Sequence, residues 1–264
     1  MLADLARFAD AEDALDAAGE DGATDALLPD WLVDQVRADG AAGRFGSWGR
    51  STVLDENVGS PVIAREVFDV LHALAGLGAD DAAWPIGNAG LLHVYGYLLS
   101  NVVTPYGLKR DRWLDGGVAR AFGLPSDAFA PWFETPSAGG STPLERVLAV
   151  TQPFVDDPGD GDLTLLWVDE HGPAAPGAPE TFARTIVVRD DESGAAALVY
   201  AVGTVGDVRP VTAFPLDWAS TPGGADEWLA ALEAEPPRLR YNSVDSRNVP
   251  SAPLAERHVM LRDH

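Results

Sequence analysis

The chain has 264 residues, a formal net charge of −23, 46% hydrophobic residues and no cysteine. That is enough apolar material for a sizeable core, and the lack of cysteine removes disulfides, thiolate nucleophiles and cysteine-bearing zinc or iron–sulfur sites. With 41 Asp and Glu against 18 Lys and Arg, the molecule repels phosphate backbones and anionic lipid, so neither DNA nor a membrane is expected as a partner.

The amino terminus lacks the basic start and apolar block of a secretory signal, and no apolar run reaches about 18 residues. The sequence therefore reads as a soluble, cytoplasmic protein. Leu2, Leu5, Phe8, Ala11 and Leu15 recur at helical spacing between acids, which predicts a first amphipathic helix. A second, short helix is expected over Leu27–Val36, and the glycine-rich stretch from Gly40 to Gly59 reads as a loop. Ser60-Pro61 suits a helix start, with Ser as the cap and Pro at the first helical position. Ile63, Val67, Val70, Leu71 and Leu74 continue it as an apolar stripe, and Gly76-Leu77-Gly78 stops it.

The most apolar segment, Asn88 to Val103, is expected to be a buried helix. Another follows Gly107, running through Trp113, Val118 and Phe122 to Gly123. Ser126-Asp127 caps a short turn, and Thr142-Pro143 starts one more helix beyond the linker-like run from Thr135. From Leu163 the pattern changes to strands: LTLLWV, TFARTIVVRD, AAALVYAV and VRPVTAFPL, with RDDESG as a hairpin loop and RHVMLRD as a last strand after a helix near Glu227–Leu232. Strands linked this closely form an antiparallel meander. The fold class expected is α+β: a helical part over residues 1–140 packed on a mainly antiparallel part over 141–264, as two parts or one domain.

Two cationic islands interrupt the acidity. Residues 106–122 hold Lys109, the sole lysine, with Arg110, Arg112 and Arg120 against Asp111 and Asp115; RLRYNSVDSR holds Arg238, Arg240 and Arg247 against Asp245. Such islands suit a small anion, since Arg grips carboxylate or phosphate bidentately and Lys adds a movable point charge. The commoner role of such islands is in ion pairs, here ones that would tie the two halves together. Where an organism uses Arg almost everywhere, a retained Lys fits proton transfer or Schiff-base chemistry. His93 and Tyr97 are spaced to share a helix face, and a histidine in an apolar helix must be hydrogen-bonded or used, so His93 is a candidate acid/base group tuned by Tyr97. His171 is expected in a surface loop. DDPGDGD, at 156–162, is rich in oxygen ligands yet reads as a turn rather than a calcium loop.

The run VRPVTAFPL resembles the closing strand of small bacterial ribonuclease-toxin domains. The resemblance covers nine residues, carries no catalytic residue with it, and implies a ribonuclease-like domain without a basic RNA-gripping surface. From the residues themselves, the first expectation is a small-molecule enzyme of hydrolase or lyase type. Its pocket lies between the helical part and the sheet, with His93, Tyr97 and Lys109 as catalytic candidates. Tyr106, Arg112, Trp113, Arg240 and Tyr241 are expected around a small anionic or polar substrate. No metal and no cofactor is expected, since no nucleotide-binding loop or metal-ligand spacing is present. The alternative is an acidic, immunity-type protein that neutralises a basic partner.

Overall fold

The computed structural model describes residues 28–55, 58–79, 83–100, 102–104, 107–137, 139–159, 161–171, 181–216, 224–234 and 256–261. The helix expected over Leu2–Leu15, Tyr106, and the island from Arg238 to Arg247 lie outside these residues. Helix α1 (Asp30–Ala41) begins after Pro29, three residues later than expected, and buries Leu32, Gln35, Val36 and Asp39.

The stretch read as a loop is more structured than that. It contains a 3-10 turn at Arg44–Ser47 and two short strands, β1 (Arg50–Thr52) and β2 (Leu54–Asp55). Strands of two or three residues leave no period to read. β2 pairs with β3 (Ser60–Pro61), and this corrects the expected helix start. Pairing with Asp55 and Leu54 holds Ser60 and Pro61 extended, so helix α2 (Arg65–Leu74) starts four residues later, after Ala64.

β1 pairs with β4 (Ile86–Asn88), with Ser51 opposite Gly87. The segment beyond β4 is buried as expected, but it is not a regular α-helix. Leu91–Tyr95 forms a π-helical turn and Gly96–Leu99 a 3-10 turn. A hairpin of β5 (Val103–Thr104) and β6 (Gly107–Leu108) follows. The single helix expected after Gly107 is two, α3 (Asp111–Leu114) and α4 (Gly117–Ala121). Gly116 separates them at φ 72°, where the Ser126 backbone leaves no room for a Cβ. Helix α5 (Pro143–Asp156) begins as its sequence predicts: the Thr142 hydroxyl accepts the Glu145 amide at 3.1 Å, and Pro143 takes the first position.

The carboxy-terminal part is a five-stranded antiparallel sheet. β7 (Thr164–His171), β8 (Thr181–Arg189), β9 (Ala196–Thr204) and β10 (Asp207–Leu216) form the expected meander. The order across the sheet is β10-β9-β8-β7-β11, with β11 at Glu256–Leu261 and helix α6 at Gly224–Ala234 between β10 and β11 in the chain. The RDDESG loop closes through the Asp190 amide on the Ala195 carbonyl at 3.0 Å. His171 is not in a surface loop; it ends β7 and stacks on Phe182 at 5.7 Å. β9 is buried along its first six residues, so alternate side chains are covered on both faces of the sheet there.

Buried side chains from the helical part and the sheet join in one apolar cluster reaching from Leu28 to Ala213. The fold is α+β. No helix among the described residues is long and apolar enough to cross a membrane.

The two parts meet at an edge. Gly49, just before β1, donates its amide to the Pro210 carbonyl on edge strand β10 at 2.9 Å, while its own carbonyl accepts the Ala89 amide at 2.8 Å. A Cβ on Gly49 would sit 2.7 Å from Val211 and 3.0 Å from Val202, so close approach demands glycine here. β10 carries a bulge at this point: Pro210 pairs with Ala201 and Thr212 with Tyr200, leaving Val211 outside the ladder. A bulge re-aims the chain next to it.

Candidate functional site

β1 and the π-helical turn bring Ser51 and His93 together. Ser51 Oγ lies 2.8 Å from His93 Nε2. The His93 ring stacks on Tyr97 with centroids 4.8 Å apart and planes 25° from parallel. Lys109, reached through the β5–β6 hairpin, places Nζ 4.8 Å from the centre of the Tyr97 ring and 3.5 Å from its hydroxyl. At the far end Lys109 Nζ pairs with Asp55 Oδ2 at 3.2 Å. The series Ser51–His93–Tyr97–Lys109–Asp55 is continuous, and every member is 9% exposed or less. The three residues chosen from sequence as catalytic candidates, His93, Tyr97 and Lys109, are thus in one cluster.

The electrostatics follow from burial. The His93 pKa is lowered to about 3, first by desolvation and then by the positive charges of Lys109 and Arg112. The backbone of the bulged Val211 offsets a little of this, though Nδ1 has no partner at full hydrogen-bond geometry. At neutral pH the imidazole is uncharged. With its proton on Nδ1, towards the strand, Nε2 accepts the hydrogen bond that the Ser51 hydroxyl donates. A π-helical turn is uncommon and often marks a functional position; here it carries His93 at its centre.

A second buried polar group lies around Tyr95, two residues along the same turn. Fully buried Asp39 accepts from Tyr95 Oη at 2.5 Å, from Thr142 Oγ1 at 2.6 Å and from Arg44 Nη1 at 3.0 Å. Arg44 also pairs with Glu145 at 2.7 Å. Burial raises the Asp39 pKa against the pull of these donors, and burial together with Asp39 pushes the Tyr95 hydroxyl well above its ordinary value. This group ties α1, the π turn and the start of α5 to one another.

The other residues expected at the site fall differently. Arg112 holds its guanidinium 5.4 Å from the Phe214 ring of β10, and its charge reaches His93. Trp113 is buried in an aromatic group with Phe129 and Trp132, at centroid distances of 6.1 and 6.4 Å. Tyr106, Arg240 and Tyr241 lie outside the described residues, and the whole second cationic island lies there with them. Within the first island, Lys109 already faces a protein carboxylate, Asp55.

Two members of the cluster, Ser51 and Asp55, were not among the expected residues. Both lie in the stretch that reads as a loop, and only pairing with distant β4 and with β3 gives them fixed places. Among the described residues no three His, Asp or Glu side chains converge as a metal site. No family model matches the chain, and neither the curated proteins nor the solved structures contain a match.

Proposed function

We propose that the protein is a hydrolase that cleaves a small ester or related acyl compound, with Ser51 as nucleophile and His93 as its general base. The observation that carries this reading is the 2.8 Å contact between Ser51 Oγ and His93 Nε2, within the reach a nucleophile and its base require. The Ser51 oxygen attacks the acyl carbon while its proton passes to Nε2. The same proton then goes to the departing alkoxide as the acyl–oxygen bond breaks. Water, deprotonated by His93, then attacks the acyl carbon; the acyl–Oγ bond breaks, the acid leaves, and His93 returns the proton to Ser51 Oγ.

The nearby cations oppose a protonated His93 in the resting protein. In the tetrahedral intermediate the negative charge of the new oxyanion compensates for the imidazolium. Because every group is buried, substrate enters only when the surrounding chain yields, as in enzymes whose sites close over the reactants.

The test is a fluorophosphonate probe and a panel of short-chain activated esters. Wild-type protein is expected to gain one phosphonyl adduct on Ser51 and to turn over at least one ester. Ser51→Ala and His93→Gln should lower kcat by about a hundredfold or more, the scale of a lost base or nucleophile. A folded wild type with neither adduct nor turnover overturns the reading.

A further inference from the structure

We propose that Lys109 is the anion subsite of this centre, that Asp55 occupies it in the resting protein, and that the ligand it accepts in exchange is a small carboxylate. Among the described residues three ion pairs are substantially buried, and they are not held alike. Arg184 grips Asp169 with two bonds of 2.7 Å and adds the Val155 carbonyl at 2.7 Å. Asp39 receives three donors. Lys109 Nζ has its two contacts at 3.2 and 3.5 Å, longer than the roughly 2.7–2.9 Å of a well-formed charge-assisted bond.

A buried pair of that kind is weak evidence for stability, because desolvating both charges offsets much of their attraction. What the buried ammonium requires is a carboxylate, and nothing in its geometry restricts that carboxylate to Asp55. Leaving Lys109 does not strand Asp55 either, since its other oxygen accepts the Val58 amide of its own turn at 3.1 Å.

The occupant's chemistry indicates the ligand's. The space at Nζ is filled by one carboxylate on one methylene, the size of acetate. A phosphate dianion is larger than the Asp55 carboxylate and is best held by the forked donors of Arg, and the guanidinium of Arg112 is instead laid on Phe214. Lys109 and Ser51 are separated by the stacked Tyr97 and His93 rings. On the hydrolase reading, from which this substrate class follows, the substrate is therefore an ester of an acid that carries its own carboxylate, far enough from the acyl carbon to span the two rings. Its carboxylate sits on Lys109 and its acyl carbon at Ser51.

The sole lysine makes the test direct. Protein labelled with ¹⁵N-lysine gives a single side-chain Nζ resonance, to be followed as sodium acetate is added against sodium chloride of equal ionic strength. A saturable, acetate-specific shift is expected in the wild type. In Asp55→Asn, which removes the internal competitor, the affinity should be about tenfold tighter or more, as for any site freed from a competing closed state. Acetate and chloride giving the same response in Asp55→Asn, or equal acetate affinity in both proteins, overturns the proposal. Should that variant not fold, absence of an acetate-specific shift in the wild type overturns it. Turnover is a separate arm: Asp55→Asn should lower KM for a carboxylate-bearing ester relative to its neutral counterpart. Acetate binding without turnover of either ester removes the hydrolase reading and leaves the subsite in place.

Discussion

His93 and Asp39 are both buried, and they act on stability in opposite senses as pH changes. His93 has an ordinary value of 6.5 and about 3 in the folded protein. Below pH 6.5 the unfolded chain takes up a proton that the folded one refuses. Stability is therefore lost as pH falls from 6.5 towards 3, by up to about 1.4 kcal/mol per pH unit for this one group. Asp39, whose folded pKa is raised from 3.8, favours the folded state in acid, and that contribution fades as pH rises through its folded pKa. His93→Gln isolates the first effect, since other titrating groups cancel in the comparison. The difference in unfolding free energy between wild type and variant, measured in urea between pH 7 and 4, should shift steadily in the variant's favour as the solution is acidified. Parallel profiles would mean that His93 carries no such penalty.

At the scale of elements, what the sequence discloses depends on how far apart the cooperating residues lie. The Thr142–Pro143 start of α5 and the strands β7 to β10 are legible because their signals are local: a cap and its proline, or an apolar, β-branched run bounded by turn residues. His93, Tyr97 and Lys109 could be chosen because a polar group in an apolar run, or one lysine among arginines, stands out without a partner in view. Ser51 and Asp55 could not, because their roles come from short strands that pair across the chain. Ser60-Pro61 shows the opposite failure: a sound local signal for a helix start is overridden by pairing with Asp55. The hinge of the arrangement is Gly49, and it supports a prediction of its own. Gly49→Ala forces a methyl to within 2.7 Å of Val211, on the bulge that faces His93. Overpacking of that kind costs about 1–3 kcal/mol, to be read as a lower melting midpoint. Unchanged stability would show that the bulge yields freely and does not fix the site.

The molecule as a whole carries a charge that none of these local arguments consumes. At −23 the folded state repels itself, and the repulsion is strongest in the compact form because the like charges are nearest there. Ion pairs do little to relieve it. Among the described residues, the exposed pairs Arg65–Asp69, Arg110–Asp111, Arg189–Asp191 and Arg209–Asp207 join close neighbours in sequence, and pairs of that type contribute about 0–1 kcal/mol each. The buried ones, Lys109–Asp55, Arg184–Asp169 and Arg44–Asp39, lie where dissolved salt screens them least. Salt thus weakens the repulsion more than it weakens the attractions. The melting midpoint should rise between low salt and about 1 M sodium chloride, where the screening length is near 3 Å. For a chain of this size each kcal/mol of repulsion removed corresponds to a rise of about 2–4 °C. The experiment is a series of thermal scans at fixed pH, with chloride as the anion so that the carboxylate subsite is not titrated at the same time. A midpoint that stays level or falls would mean that surface attractions outweigh the net charge, with the acids distributed to pair rather than to repel.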